Sequence, residues 1–244
     1  IFIETPSNPL LEVYDIEHIA SLAHANNALL IVDNTFLTSY FQKPLDFGAD
    51  IVVYSATKYC GGHSDVIAGL VVTNNDDLYT KLKFLHNTYG NILSPFDSFL
   101  LQRGIKTLGV RLDRHQNNAL RIAEYLDNHQ AVKKVYYPGL QTHPGHDIQI
   151  KQARGYGAVL SFILEDDYDS KKFVDELKII DLAVSLGGIE SLICHPSSMT
   201  HESYPIDLQQ KIGIEEGLLR LSVGIENIQD LLNDIEHALE NAHK

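Results

Sequence analysis

Ile16-Glu17-His18-Ile19-Ala20-Ser21-Leu22-Ala23, followed by Ala28-Leu29-Leu30-Ile31-Val32-Asp33, decides the fold class of this chain. The first stretch spaces its apolar side chains as one face of a helix, and the second is an apolar run closed by a carboxylate, as a buried strand reads. Upstream, Ile1-Phe2-Ile3-Glu4 also reads as a buried strand, so strand, helix and strand form a βαβ unit and require a parallel sheet. Ile51 to Tyr54 and Ile67 to Thr73 supply two further β-branched runs. Sheets of this kind bind ligands beyond the carboxyl ends of their strands. Asp33-Asn34-Thr35 and Ser55 to Lys58, each just past a strand end, are therefore the first places to look for chemistry.

Beyond this unit, Leu78 to about Leu126 is patterned as helix, with a break near Ile92 to Pro95 and a long stretch from Phe96 to Tyr125. Alternation resumes at Val132 to Tyr136 and Gly157 to Phe162, then a helix over Lys171 to Leu177, a strand over Gly217 to Ser222 and an amphipathic helix from Asn227 to Ala238. The expected organisation is a domain over 1–110 with a mostly parallel sheet and helices on both faces. A smaller α/β domain over 111–244 begins in the long connecting helix.

Composition removes several classes of function. The 244 residues are 44% apolar and 21% charged, an ordinary globular balance. No apolar run approaches the roughly 20 residues of a membrane helix. A net charge of −13 repels a phosphate backbone, so a nucleic-acid partner is not expected. Cys60 and Cys194 form no CxxC pair and no disulfide framework, which fits a reducing cytoplasm. His143-Pro144-Gly145-His146 reads as a surface loop, and no metal site is expected. The chain opens on Ile1 in mid-strand and reads as a fragment whose upstream part supplies neighbouring strands.

Lys58 follows a strand among small hydroxyl residues, whereas a surface lysine usually sits on a solvated helix face. Ser55 and Thr57 flank it with hydroxyls able to bind phosphate, although such residues are commonly only turn formers. Asp33 at the end of a buried strand needs a partner, either a cationic ligand or the backbone of the next turn. Arg220, between Leu219 and Leu221, is either a carboxylate clamp or an arginine paired with a structural Asp or Glu. Neither GxGxxG, GxxxxGK[ST] nor GxSxG occurs, which weakens dinucleotide, Walker-type and hydrolase readings.

Ile31-Val32-Asp33-Asn34-Thr35-Phe36 and Ser55-Ala56-Thr57-Lys58-Tyr59-Cys60-Gly61-Gly62-His63-Ser64-Asp65 together resemble the Cys/Met-metabolism family of pyridoxal phosphate enzymes. The likeness continues in Glu4 to Pro9, Arg103 to Leu108, Ser185 to Leu192 and Leu219 to Glu226, in the family's order. It implies the type I pyridoxal phosphate-dependent transferase fold, with 1–110 as the C-terminal part of the large cofactor-binding domain. By the same resemblance Lys58 forms the Schiff base and carries protons, Asp33 pairs with the pyridine nitrogen, and Ser55 and Thr57 bind the phosphate. Asn8 approaches the ring hydroxyl and the substrate carboxylate. Ser185, by composition a strand-end serine, helps position the lysine and the substrate, and Arg220 clamps the α-carboxylate.

The implied activity is a transsulfuration lyase that cleaves cystathionine or a related sulfur amino acid by β- or γ-elimination, in a homo-oligomer built from dimers. A cystathionine γ-synthase is the alternative within the family. Val184 stands where relatives working at Cγ often carry a glutamate, which weakens a strict γ assignment. Relatives also have an upstream segment with a Gly-rich phosphate loop, a ring-stacking tyrosine and a Tyr/Arg pair, so the isolated chain is expected to bind cofactor weakly and be inactive. Outside enzymology, a catalytically silent member of the fold and a Rossmann-like nucleotide module are the competing readings. Glu190 is assigned a structural role, and Cys60 and Cys194 are ordinary thiols.

Overall fold

Asp15 opens the first helix by accepting the His18 N–H at 3.0 Å, which satisfies a donor that the first turn leaves unpaired. The helix, α1 (Ile16–Ala25), turns Ile16, Ala20 and Ala23 inward and links strand β1 (Phe2–Glu4) to β2 (Ile31–Asp33). A short helix, α2 (Thr38–Phe41), precedes β3 (Ile51–Ser55) and β4 (Gly69–Val72). The computed structural model describes residues 1–200 and 202–244.

β1, β2 and β3 are parallel and β4 runs antiparallel to β3, giving the order β1-β2-β3-β4. The α/β architecture with a mostly parallel sheet is as expected. Among the described residues β1 pairs only with β2, which leaves Ile1 and Phe2 53% and 62% exposed. β2 begins at Ile31 rather than Ala28, because the Asp50 carboxylate takes the Leu30 N–H at 2.7 Å.

The helical region comprises α3 (Asp76–Tyr89), α4 (Pro95–Ile105) and α5 (Leu108–Asp127). The long stretch read as continuous from Phe96 to Tyr125 is divided at Lys106 and Thr107. Gly104 causes the break: its carbonyl accepts from Arg111 Nη2 at 2.8 Å and from Thr107 N at 3.2 Å, so it does not continue the helical ladder. A Cβ at Gly104 would overlap the Gly61 carbonyl, so glycine lets α4 lie directly on the turn after Lys58.

A second sheet contains β5 (Val132–Tyr136), β6 (Val159–Leu164), β7 (Asp181–Leu182), β8 (Leu192–Cys194) and β9 (Leu218–Ser222) in the order β5-β6-β9-β8-β7. Helices α6 (His146–Gln152), α7 (Ser170–Glu176), α8 (Ile206–Lys211) and α9 (Ile228–Asn241) complete the chain. Leu112 and Ile122 of α5, Leu160 of β6, Leu219 and Leu221 of β9 and Ile235 of α9 share one core. Phe36 and Tyr59 from the first half join that core, which packs the Lys58 turn against the second sheet. Because side chains alternate along a strand, Leu219 and Leu221 facing the core direct Arg220 and Ser222 to the opposite side.

His143-Pro144-Gly145-His146 is a turn, as its composition suggested, with Pro144 exposed but His143 and Gly145 buried. His143 is 8% exposed and accepts the Gly145 N–H on Nδ1 at 3.0 Å, while His146 starts α6 and stacks on Tyr156. Proline and glycine make the chain turn here, but the turn is pressed against Val13, which a Cβ at Gly145 would meet at 2.6 Å.

Candidate active site

Lys58 sits in a tight turn immediately after β3. Its N–H donates to Ser55 O at 3.1 Å, Gly61 N donates to Ala56 O at 2.8 Å and Gly62 N donates to Lys58 O at 2.8 Å. Arg111 braces the turn from α5, donating through Nη1 to Tyr59 O at 2.9 Å while Nε donates to Thr107 Oγ1 at 3.1 Å. Lys58 Nζ reaches the Ser185 hydroxyl at 3.5 Å. Burial, and next the positive charge of Arg220, hold this amine below the ordinary lysine range.

Asp33, Thr35 and Ser55 form a second connected group across the ends of β2 and β3. Thr35 donates to Asp33 Oδ1 from its hydroxyl at 2.6 Å and from its N–H at 3.0 Å. The same hydroxyl accepts the Ser55 N–H at 2.8 Å. Asp33 thus caps its own turn with one oxygen, and Oδ2 has no hydrogen-bond partner among the described residues. The Lys58 N–H bond to Ser55 O joins this group to the lysine turn. Thr57 is arranged differently, its hydroxyl donating to Ala68 O at 3.3 Å and accepting the Ala68 N–H at 3.0 Å.

Arg220 is 2% exposed and meets no carboxylate among the described residues. Nη1 donates to Asn8 Oδ1 at 3.0 Å, and Nη2 donates to the carbonyls of Val184 and Ser185 at 2.8 and 3.2 Å. Nε is buried without a partner among the described residues. The arginine paired with a structural Asp or Glu is therefore excluded at this position. Ser185 lies not at a strand end but in the irregular segment 183–191 between β7 and β8.

Glu4, which residue-by-residue reading left out, stands beside Asp33 in the β1–β2 register and accepts the Asn8 N–H at 3.4 Å. Burial is the main reason its carboxyl is raised to about 6. The Asn8 N–H opposes that rise, the Asp33 charge adds to it and Arg220 opposes it. Thr35 and Arg111 were also missed as site residues. Thr35 lies inside the Asp33-Asn34-Thr35 motif and could have been found there. Arg111 gives no local signal, since an arginine in a helix is ordinary until its partners are known.

A family model described as Cys/Met metabolism PLP-dependent enzyme matches residues 1–240. The chain is 56% identical over 240 residues to the cystathionine beta-lyase of Lactococcus lactis subsp. cremoris (strain MG1363), covering 98% of this chain and 63% of that protein. Among solved structures, cystathionine gamma-lyase from Lactobacillus plantarum complexed with L-serine superposes with a TM-score of 0.97 at 50% identity, covering 99% of this chain and 64% of that one. Cystathionine gamma synthase from Xanthomonas oryzae pv. oryzae in complex with cystathionine gives 0.95 at 51% identity, covering 98% and 62%. The chain thus spans a little under two thirds of the length of each.

Proposed function

The chain belongs to the Cys/Met metabolism family of PLP-dependent enzymes, and from that premise we propose that the full protein is a carbon–sulfur lyase acting on cystathionine or a related sulfur amino acid. One observation carries the reading. Lys58 Nζ, half-buried and 3.5 Å from Ser185 Oγ, shares its surroundings with Arg220, whose buried Nε donor has no partner. An unsatisfied buried donor costs on the order of 1–3 kcal/mol, which an anionic ligand would recover.

The residues fit pyridoxal phosphate: a lysine with a depressed pKa, a strand-end carboxylate with an open oxygen, and the Ser55 hydroxyl in the same turn, while Thr57 would serve the phosphate by turning its O–H from the Ala68 carbonyl. The bound cofactor would supply an electron sink for charge developing at the substrate Cα. Lys58 would hold it and, once the amino acid has taken its place, move the Cα proton, for which a depressed amine pKa is suited. Asp33 would keep the ring nitrogen protonated, and Arg220 with Asn8 would orient the α-carboxylate. Ser185 would hold the lysine amine toward Cα.

The test is the visible absorption of the full-length protein mixed with pyridoxal phosphate. We expect a lysine-linked cofactor band that Lys58→Ala abolishes. Absence of any band would end the enzymatic reading and favour a silent member of the fold. Products from cystathionine then separate the chemistries, homocysteine with pyruvate and ammonia for β-cleavage, cysteine with 2-oxobutanoate and ammonia for γ-cleavage. The likeness to a cystathionine gamma synthase keeps a synthase as the second reading. Formation of cystathionine from an activated homoserine and cysteine would select it.

A homo-oligomer is part of the proposal, supported by α3, which has no buried residue and leaves Phe84 and Tyr89 exposed. Buried, unpaired Cys60 and Cys194 support a cytoplasmic setting. Among the described residues no helix is long and apolar enough to cross a membrane. The first turn of α5 is where we divide the chain into 1–110 and 111–244.

A further inference from the structure

Ser222 lies two residues beyond Arg220 on β9, on the same side of the strand and completely buried. Its hydroxyl accepts the Gly187 N–H at 2.9 Å. Arg220 holds the carbonyls of Val184 and Ser185, so two neighbouring side chains of one strand grip the backbone of the segment 184–187 at three atoms. The other side of that segment rests on the lysine turn. Gly187 has φ +79, and a Cβ there would lie 2.9 Å from Tyr59 N and 3.1 Å from Lys58 Cβ. Ile189 N–H donates to Gly62 O at 3.0 Å and fastens the segment to the end of the same turn.

We propose that Ser222 and Gly187 are positioning residues that set the separation of the Lys58 amine from the Ser185 hydroxyl and the Arg220 guanidinium. The proposal rests on the lyase reading for its consequence in turnover, but the coupling itself is a property of the side chains. Gly187 can approach the lysine turn because it lacks a side chain and tolerates the left-handed backbone region. Ser222 then prevents the segment from lifting, since its hydroxyl is the acceptor that the structure gives the Gly187 N–H. If the segment lifts, Ser185 Oγ leaves Lys58 Nζ, and Arg220 loses the two carbonyls that hold Nη2.

The sign of the effect on Lys58 follows from what depresses its pKa: burial first, then Arg220. A lifted segment admits water to the amine and frees the guanidinium to move, and both changes favour the protonated form. The experiment measures the pH midpoint of Lys58 dinitrophenylation by mass spectrometry in the cofactor-free, full-length protein. Steady-state kinetics on cystathionine accompany it. Ser222→Ala is expected to raise the midpoint by about half a pH unit or more and to raise KM by a larger factor than it lowers kcat.

Ser222→Thr, which keeps the hydroxyl, is expected to retain the wild-type midpoint. An unchanged midpoint in Ser222→Ala, even with a lowered melting temperature, would reduce Ser222 to a stability role and overturn the proposal. So would a Ser222→Thr protein that behaves like the alanine variant. Should Ser222→Ala not fold, Ser222→Cys, somewhat larger but a much weaker acceptor, fills the space, and the same rise is expected of it. A protein that binds no cofactor would remove the lyase reading, yet the midpoint is measured without cofactor and decides the coupling by itself.

Discussion

Arg220 Nη1 donates to Asn8 Oδ1 at 3.0 Å across 212 positions of sequence, tying the turn after β1 to the middle of β9. The guanidinium is surrounded by neutral acceptors: an amide oxygen and two backbone carbonyls. No carboxylate among the described residues hydrogen-bonds it, which leaves the fork suited to a carboxylate from outside. Asn8 in turn is held through its own N–H by Glu4, so the site reaches from the end of one sheet to the centre of the other.

Arg220→Lys should therefore impair substrate binding even though the charge is kept. A lysine ammonium lacks the planar fork and cannot serve Asn8, the two carbonyls and a carboxylate together. In the full-length protein we expect kcat/KM for cystathionine to fall about 10- to 100-fold, chiefly through KM. Wild-type kinetics in this variant would contradict the assignment of the carboxylate to Arg220.

Glu4 makes stability depend on pH in a direction opposite to the usual carboxylate. Its carboxyl is raised from 4.5 to about 6, so its contribution is fully present below pH 4.5 and is lost as pH rises through about 6. Glu4→Gln should remove that dependence. The variant is expected to gain stability relative to wild type between pH 5 and pH 8, by at most about 2 kcal/mol. Urea unfolding at the two pH values measures it, and equal pH slopes in the two proteins would refute it.

Gly62→Ala should be among the most damaging small substitutions in the turn. Gly62 has φ +73, and an added Cβ would overlap the Arg111 guanidinium that holds Tyr59 O. We expect a loss of more than about 2 kcal/mol in denaturant unfolding, with weakened cofactor retention, because the lysine turn loses its brace. A variant that melts within a degree of wild type would show that Arg111 can move aside.

Thr35→Val keeps shape but deletes the hydroxyl that joins Asp33 to Ser55. The Ser55 N–H then loses its acceptor, at a cost of about 1–3 kcal/mol. Thr35→Ser should restore most of that stability, since it keeps Oγ. Calorimetry on the three proteins checks the order. Equal stability of the valine and serine variants would discount the bridge.

What short stretches of sequence determine here is local. Asp33 and Ser55 follow from strand endings, Lys58 from its place after β3, and the helix over 16–25 from apolar spacing with Asp15 as its cap, because each depends on neighbours within a turn or a strand. β7 and β8, at two and three residues, were not legible, because so short a strand carries no period of its own and exists through pairing with β9 and its neighbour. The neighbours of β1 were not legible for a related reason, since composition specifies a strand but not what pairs with it. The tertiary structure alone decided that Arg220 meets Asn8 and, among the described residues, no carboxylate, that Arg111 braces the lysine turn, and that Ser222 holds Gly187 against Lys58. Those contacts span tens to hundreds of residues, and hydrogen bonds act over about 3 Å. Only the packing of the two sheets brings such groups into range.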